Sequence, residues 1–363
     1  MNNLTAISLF SGMGGDTLGM ENACVKVIAF SEKTPIIRDT HLNNFSHCEI
    51  IGEDVKSDIT KIPNNDFSKY ENNADIIFAG FPCQGFSNAG KKKINDPRNT
   101  LFKEFVRATK LIKPKIIIGE NVKGLLTRKS TNSEKYIDVI KAEFEKLGYN
   151  IIYKVFKCHK YGIPQRRERL IILGIRNDCL NEYNLTFPTE NNNEPNLIDI
   201  VKFDMTGAIK IDNSDKDAFD MTTIPEECIL TDMDNDEGEN NPHPYLKLKV
   251  NARDTEYKEK IHKNLLSFAK RGSPIHSEII DIRKPSKTII CTYDHQPRLL
   301  VPLKNKNGYF LRCLLPDELK QIQGFPLDYE ILGNKKQKIV QIGNAVPPPL
   351  IEQIVRHLLQ INS

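Results

Sequence analysis

The feature that most constrains this chain is the alternation of short apolar runs with helical stretches over its first 175 residues. Ala6 to Phe10, Val25 to Phe30, Asp75 to Ala79, Lys115 to Gly119, Ile151 to Phe156 and Leu170 to Ile175 read as strands. Between them, Gly15 to Asn22, Asn99 to Ile112 and Glu134 to Leu147 carry helical patterns, the last with Ser133 as its expected cap and Gly148 as its stop. Strands alternating with helices predict an α/β fold, a mostly parallel, doubly wound sheet covered by helices. Open sheets of that kind do their chemistry at the carboxyl ends of the strands.

Two of those ends carry reactive groups. The run Ile76-Ile77-Phe78-Ala79 leads into Gly80-Phe81-Pro82-Cys83-Gln84-Gly85-Phe86-Ser87, where Gly80 and Pro82 turn the chain sharply and present the Cys83 thiol. Ile116-Ile117-Ile118 ends in Gly119-Glu120-Asn121-Val122; if its strand neighbours the first, a thiol and a carboxylate share one crevice. Taken alone, Glu120 reads equally as a helix cap or a salt-bridged acid. In Gln165-Arg166-Arg167-Glu168-Arg169 an extended backbone puts Arg167 and Arg169 on one face, although such a run is also what a surface salt-bridge cluster looks like.

The first strand ends in Phe10-Ser11-Gly12-Met13-Gly14-Gly15, whose glycines permit positive φ and close approach of a ligand to the main chain. Glu32 follows about 20 residues later, where an acidic side chain accepts hydrogen bonds from both ribose hydroxyls. This geometry binds an adenosine-containing cofactor. The residues themselves leave a dinucleotide and S-adenosylmethionine both open. The loop departs from GxGxxG, and the GxxxxGK[ST] of a triphosphate site is absent.

A chain of 363 residues buries a substantial core and holds two domains or one with a large insertion. A formal charge of +4 says little about nucleic acid, so any basic surface must be local. Eight cysteines form no CxxC pair and no Cys/His cluster with zinc-ligand spacing, so free thiols and no metal are expected. No stretch has the roughly 20 apolar residues that span a bilayer, and the start lacks a signal-peptide pattern, which makes a soluble cytoplasmic protein the expectation. From about Phe187 to Asn241 the chain turns acidic, notably at Asp232 to Glu239, as a solvated face or loop that repels phosphate. Lys247 to Lys287 is basic, with Phe268-Ala269-Lys270-Arg271-Gly272-Ser273 suited to phosphates and base edges.

Pro82-Cys83-Gln84, Glu120-Asn121-Val122, Gln165 to Arg169 and Gln341-Ile342-Gly343-Asn344-Ala345-Val346-Pro347, with Phe10 to Gly15 before them, resemble in content and order the motif set of DNA cytosine-5 methyltransferases of the prokaryotic restriction-modification type. The resemblance implies a methyltransferase fold with residues 1–180 plus 321–363 as the catalytic domain and 181–320 as a smaller target-recognition domain. It implies S-adenosyl-L-methionine as cofactor, held by Phe10, Gly12, Gly14, Glu32, Asp54, Pro82, Asn344 and Val346. It assigns the nucleophile to Cys83, protonation at the base to Glu120, contact with the base carbonyl to Arg169 and support of the catalytic loop to Arg167.

Residues 84–100 are then expected to close over a flipped cytosine, with Gln84, Ser87 and Lys91 contacting DNA. Arg283 to Thr288 resembles the element that organises the recognition domain, and Arg271, Ser273, His276, Tyr293, His295, Gln296 and Arg298 are its candidate base readers. Double-stranded DNA is the expected partner, a cognate restriction endonuclease a candidate one, and a monomer the expected state. A tRNA cytosine-5 methyltransferase and a non-catalytic DNA-binding regulator on the same fold are the alternatives. Relatives of the former usually carry threonine where this chain has Ser87.

Overall fold

The computed structural model describes residues 4–82, 101–129, 133–211, 221, 224–239, 246–247, 265–268, 275–276, 278–295 and 297–361. Strands β1 (Thr5–Leu9), β2 (Lys26–Ser31), β3 (Glu49–Ile50), β4 (Ile76–Ala79), β5 (Ile116–Asn121), β6 (Tyr149–Lys157) and β7 (Glu168–Arg176) form one seven-stranded sheet. Its order is β3-β2-β1-β4-β5-β7-β6. The strands from β3 to β5 pair in parallel, while β7 runs antiparallel between β5 and β6. Ile76 to Ala79 and Ile116 to Ile118 are buried throughout, which explains why these runs are continuously apolar rather than alternating.

Helices α1 (Gly15–Asn22), α2 (Pro35–Asn44), α3 (Asn64–Ser68), α4 (Phe102–Ile112) and α5 (Tyr136–Lys146) connect the strands. In α4, Phe102, Phe105, Ala108, Thr109 and Ile112 recur at helical spacing and are buried. Phe105 meets Phe144 of α5 edge-on, with ring centroids 4.8 Å apart. Helices α3, α4 and α5 pack into one hydrophobic cluster, and α1 and α2 into a second on the other face of the sheet, as double winding requires. The capping expectation for α5 fails at its start. Lys135 takes the N-cap position without a side-chain cap, Ser133 lies upstream at φ +65°, and the Tyr136 amide instead donates to the Arg128 carbonyl. Its stop holds, because Gly148 adopts φ +85° and its amide returns to the Glu145 carbonyl.

Beyond β7, strands β8 (Ile209–Ile211), β9 (Leu230–Thr231), β10 (Leu246–Lys247), β11 (Leu265–Phe268), β12 (Ile275–His276), β13 (Glu278–Ile279), β14 (Leu299–Asn305) and β15 (Gly308–Cys313) form two small sheets. One runs β13-β14-β15-β8 with β9 also against β14, and the other runs β10-β11-β12. The acidic stretch is mostly exposed and lies on the β14–β15 turn: Asn305 Nδ2 donates to Asn235 Oδ1, and Asn307 Nδ2 to the Asp236 carbonyl.

Helices α6 (Pro316–Ile322), α7 (Lys335–Asn344) and α8 (Pro348–Leu359) bring the chain back to its beginning. The Leu315 amide donates to Glu318 at 2.8 Å, fixing the start of α6. Gly19 of α1 lies so close to α8 that a Cβ there would sit 2.5 Å from the Pro348 carbonyl oxygen. One hydrophobic cluster runs from the α1 side of the large sheet through Leu300 and Phe310 to Ile351 and Ile354. Among the described residues, no helix is long and apolar enough to cross a membrane.

Candidate active site

The carboxyl ends of β1, β4 and β5 converge. The Gly80 amide donates to the Leu9 carbonyl at 3.2 Å, locking the exit of β4 to that of β1. A Cβ on Gly80 would lie 3.7 Å from the Phe10 carbonyl oxygen and 3.9 Å from Glu120 Oε2. Asn121 Nδ2 donates to the Phe81 carbonyl, and Phe81 itself is buried. Pro82, half-buried, is the last described residue on this path. Cys83, Gln84, Ser87 and Lys91, with the rest of the expected closing loop, lie outside the described residues, as do Arg271, Ser273 and Gln296.

Glu120 and Arg169 meet here for a reason of register. Antiparallel β5 and β7 pair Glu120 with Ile171, so Arg169, two residues away, shares its face and sits diagonally across. Arg169 Nε lies 2.7 Å from Glu120 Oε1, with side-chain exposures of 13% and 15%, so the pair is largely shielded yet open on one side. Arg169 also donates to the Glu168 carbonyl.

Arg167 shares the alternation but is wholly buried and, among the described residues, has no carboxylate as a hydrogen-bond partner. Its guanidinium donates to the carbonyls of Ile289, Gly343 and Ala345, at 3.1 to 3.2 Å. Burial pushes it down to about 9. Its described partners are therefore the turn after α7 and the segment at 289, while the loop at 84–100 that it was expected to support lies outside the described residues. Gln165, which opens the arginine motif but had no role assigned from sequence, and Gln323 complete this knot. Gln165 accepts from the Ile289 amide and donates to Gln323 Oε1, and Gln323 Nε2 donates to the Ala345 carbonyl. Ser286 bridges to Pro164 and Arg166 through its backbone, so the Arg283 to Thr288 element does anchor on the arginine motif.

The proposed cofactor residues line a rim of loop ends after β1, β2, β3 and β4 and before α8. Phe10, Gly12 and Gly14 adopt φ of +55°, +55° and +89°. At Gly14 a side chain is excluded, since a Cβ would fall 2.5 Å from the His41 ring. A Cβ on Gly12 would meet nothing within 4 Å, so the backbone there is approachable. The Leu18 amide donates to the Gly14 carbonyl, which starts α1 and leaves its first amides facing the loop. Glu32, at the end of β2, accepts from the Thr34 amide through Oε1 at 2.8 Å. Asp54, after Gly52 at φ +64°, is exposed. Val346 closes the rim: a Cβ on Gly15 would lie 2.2 Å from its carbonyl oxygen, and Asn344 is exposed beside it. Together these offer main-chain donors, a carboxylate for ribose and an exposed acid for an amino group, a donor set that fits S-adenosylmethionine.

Beneath the glycine loop lies a buried acid that sequence reasoning missed. Asp16 is 1% exposed and accepts from the Ser8 hydroxyl, and burial pushes its carboxyl up to about 7. Next to it, Thr17 Oγ1 lies 2.9 Å from Nε2 of His41, whose ring meets Phe30 edge-on and which burial holds neutral, down to about 3. The only sequence signal was a charged residue inside an otherwise small and apolar turn. Among the candidate base readers, Tyr293 is corrected: it is 2% exposed, its hydroxyl bonds the Leu299 carbonyl, and it accepts from the Leu314 amide, so it cannot reach DNA. Arg298 and His295 are exposed.

A family profile described as C-5 cytosine-specific DNA methylase matches residues 4–360. The chain is 31% identical to the Type II methyltransferase M1.HphI of Haemophilus parahaemolyticus over 99% of its own length and 88% of the relative's. It is also 31% identical to M.BsuFI of Bacillus subtilis, over 97% and 71%. The solved structure of the Entamoeba histolytica methyltransferase EhMeth superposes with a TM-score of 0.63 at 19% identity, covering 99% of both chains. A Spodoptera frugiperda DNMT2 mutant superposes at 0.62 with 18% identity, covering 97% of this chain and 98% of that one. The last two likenesses show the fold, and the match from Leu4 to Gln360 shows the family: this chain belongs to the C-5 cytosine-specific DNA methylases.

Proposed function

We propose that this methylase transfers a methyl group from S-adenosyl-L-methionine to carbon 5 of a cytosine flipped out of a specific duplex sequence, through a transient bond from Cys83. The observation that carries this reading is the juxtaposition at Gly80, which lies between the cofactor loop at Phe10 and the Glu120 carboxylate and leads directly to Cys83. When bound, S-adenosylmethionine supplies an electrophilic methyl. The glycine loop, the N-terminus of α1, Glu32 and Asp54 hold it, with Pro82, Asn344 and Val346 closing the site.

Carbon 5 of cytosine is a poor nucleophile. Addition of the Cys83 thiolate to carbon 6 makes the ring an enamine, which attacks through carbon 5. Glu120 hydrogen-bonds nitrogen 3 and delivers a proton there as electron density grows on the ring. Arg169 fixes Glu120 and points toward the base carbonyl. Loss of the carbon 5 proton to solvent, expulsion of the thiolate and return of the nitrogen 3 proton to Glu120 then restore aromaticity and the enzyme. Arg167 acts at a distance, by holding the turn that carries Asn344 and Val346.

Residues 1–180 with 321–363 form the catalytic part in this reading, and 181–320 the part that reads the target, with Arg298 among its DNA contacts. The relatives' names support a role as the modification component of a Type II restriction-modification system, which implies a cognate endonuclease and a cytoplasmic, monomeric enzyme acting alone on its site. Incubation with labelled methyl donor tests the reading. Label in duplex DNA at carbon 5 of cytosine supports it, and label in tRNA alone, or in neither, overturns it. Bisulfite sequencing of DNA from expressing cells then gives the target sequence.

A further inference from the structure

Far from the site, at the opposite ends of the strands, three potential metal ligands come together. Glu21 lies in the last turn of α1, and His47 and Cys48 lie in the turn between α2 and β3. His47 Nε2 is 2.7 Å from Glu21 Oε1 and 3.7 Å from Cys48 Sγ, and all three donor atoms fall within 4.8 Å of one another. Spacing along the chain hid this group, because the acid is 26 residues from the histidine.

We propose that Glu21, His47 and Cys48 bind a borderline-soft divalent transition metal of the zinc class. On a tetrahedral ion with bonds of about 2.3 Å to sulfur and about 2.0 Å to nitrogen, those two ligands stand roughly 3.5 Å apart. The observed separation of 3.7 Å needs almost no adjustment. The carboxylate need only yield its hydrogen bond to His47 and move back by about half an ångström. A carboxylate, a neutral imidazole and a thiolate together neutralise a divalent charge, the thiol proton leaving to solvent as the metal binds.

The surroundings suit such a site. Cys48 is 4% exposed and its thiol donates to the Val27 carbonyl at 3.1 Å, a bond that metal binding exchanges for the metal–sulfur bond as the proton leaves, while the Val27 amide reaches Glu21 Oε1 at 3.4 Å and stays in place. His47 is exposed, which gives the ion an entry path and leaves the fourth position to water. Val27 stands near the amino end of β2, whereas the cofactor rim begins beyond its carboxyl end at Ser31. The site would therefore staple α1 to the β3 edge without touching the chemistry, and metal bound to the folded chain alone would raise its stability.

Titrating metal-stripped full-length protein with Co2+ tests this. The expected result is one equivalent with a thiolate-to-cobalt charge-transfer band. Cys48→Ser should abolish the band, and His47→Ala, at an exposed position that spares folding, should weaken affinity by more than about tenfold, the least that even an outer partner is worth. Zn2+ should compete the band away and raise the melting temperature of the wild type but not of either variant, with methyl transfer unchanged. Cobalt binding without the band, a band that survives in Cys48→Ser, or no stoichiometric binding would overturn the proposal and leave Glu21–His47 an ordinary ion pair over a buried thiol.

Discussion

The two flanks of the large sheet are built on different rules. From β3 to β4 every pairing is parallel, so each strand ends on the same edge and hands over to a loop; the proposed cofactor rim is accordingly a set of loop ends at Phe10, Glu32 and Asp54. On the β5-β7-β6 flank the pairing is antiparallel, and the proposed catalytic groups meet across strands rather than at strand ends, as Glu120 and Arg169 do. The difference teaches where each flank tolerates change. Loop ends depend on backbone conformation, whereas the cross-strand pair depends on side-chain identity in a fixed register.

Substitutions break or sharpen that contrast. At the seam between the flanks, Cys83→Ala should abolish methyl transfer while DNA retention in a gel-shift assay stays near wild type; residual turnover would refute covalent attack. On the antiparallel flank, Glu120→Gln should slow the single-turnover rate by roughly 100- to 10,000-fold with little change in melting temperature. If Arg169 matters through this pair, adding Arg169→Lys to that variant should cost much less than it does in the wild type.

Stability should respond elsewhere. Arg312, fully buried, is clamped by Glu318 at 2.7 Å where β15 hands over to α6. Glu318→Gln should lower unfolding free energy by about 3 kcal/mol, read from chemical denaturation, because it strands a buried cation. On the parallel flank, Gly14→Ala forces a Cβ against His41 at positive φ, with an expected loss of about 2 kcal/mol and a raised KM for the methyl donor at nearly unchanged KM for DNA. An unchanged cofactor KM would detach this loop from cofactor binding.

The smallest effect is a slope. Asp16, up to about 7 in the fold against 3.8 when unfolded, keeps a proton that the unfolded chain releases. Its contribution is complete below 3.8 and is lost as pH rises through 7, by about 2 kcal/mol between about pH 5 and 7. His41, down to about 3 against 6.5, does the reverse, stabilising above 6.5 and losing that contribution on acidification. Asp16→Asn should thus leave His41 unopposed, and stability should fall more steeply from pH 7 to 4 than in the wild type.

How much of this was legible from sequence follows from the same contrast. Apolar runs and glycine turns are local signals, so the long strands, α1 and the loop ends at Gly12, Gly14 and Glu32 could be read directly. Strand direction is not local: nothing in Leu170 to Ile175 says that β7 runs against β5, although that choice brings Arg169 diagonally across to Glu120. The knot of Gln165, Arg167 and Gln323 was equally hidden, since its partners lie 122 to 178 residues from Arg167 and are backbone carbonyls, which any residue supplies. Tyr293 misled because an aromatic with a hydroxyl looks alike as a reader of bases and as a core residue bonded to Leu299.

The most direct test of the central claim uses duplex DNA of the target sequence with 5-fluorocytosine at the methylated position, incubated with enzyme and S-adenosylmethionine. Fluorine blocks the final loss from carbon 5, so the account predicts a denaturation-resistant complex whose peptide mass places the cross-link on Cys83. Methylation of the natural duplex with no such complex on the fluorinated one, or a cross-link at another residue, would contradict it.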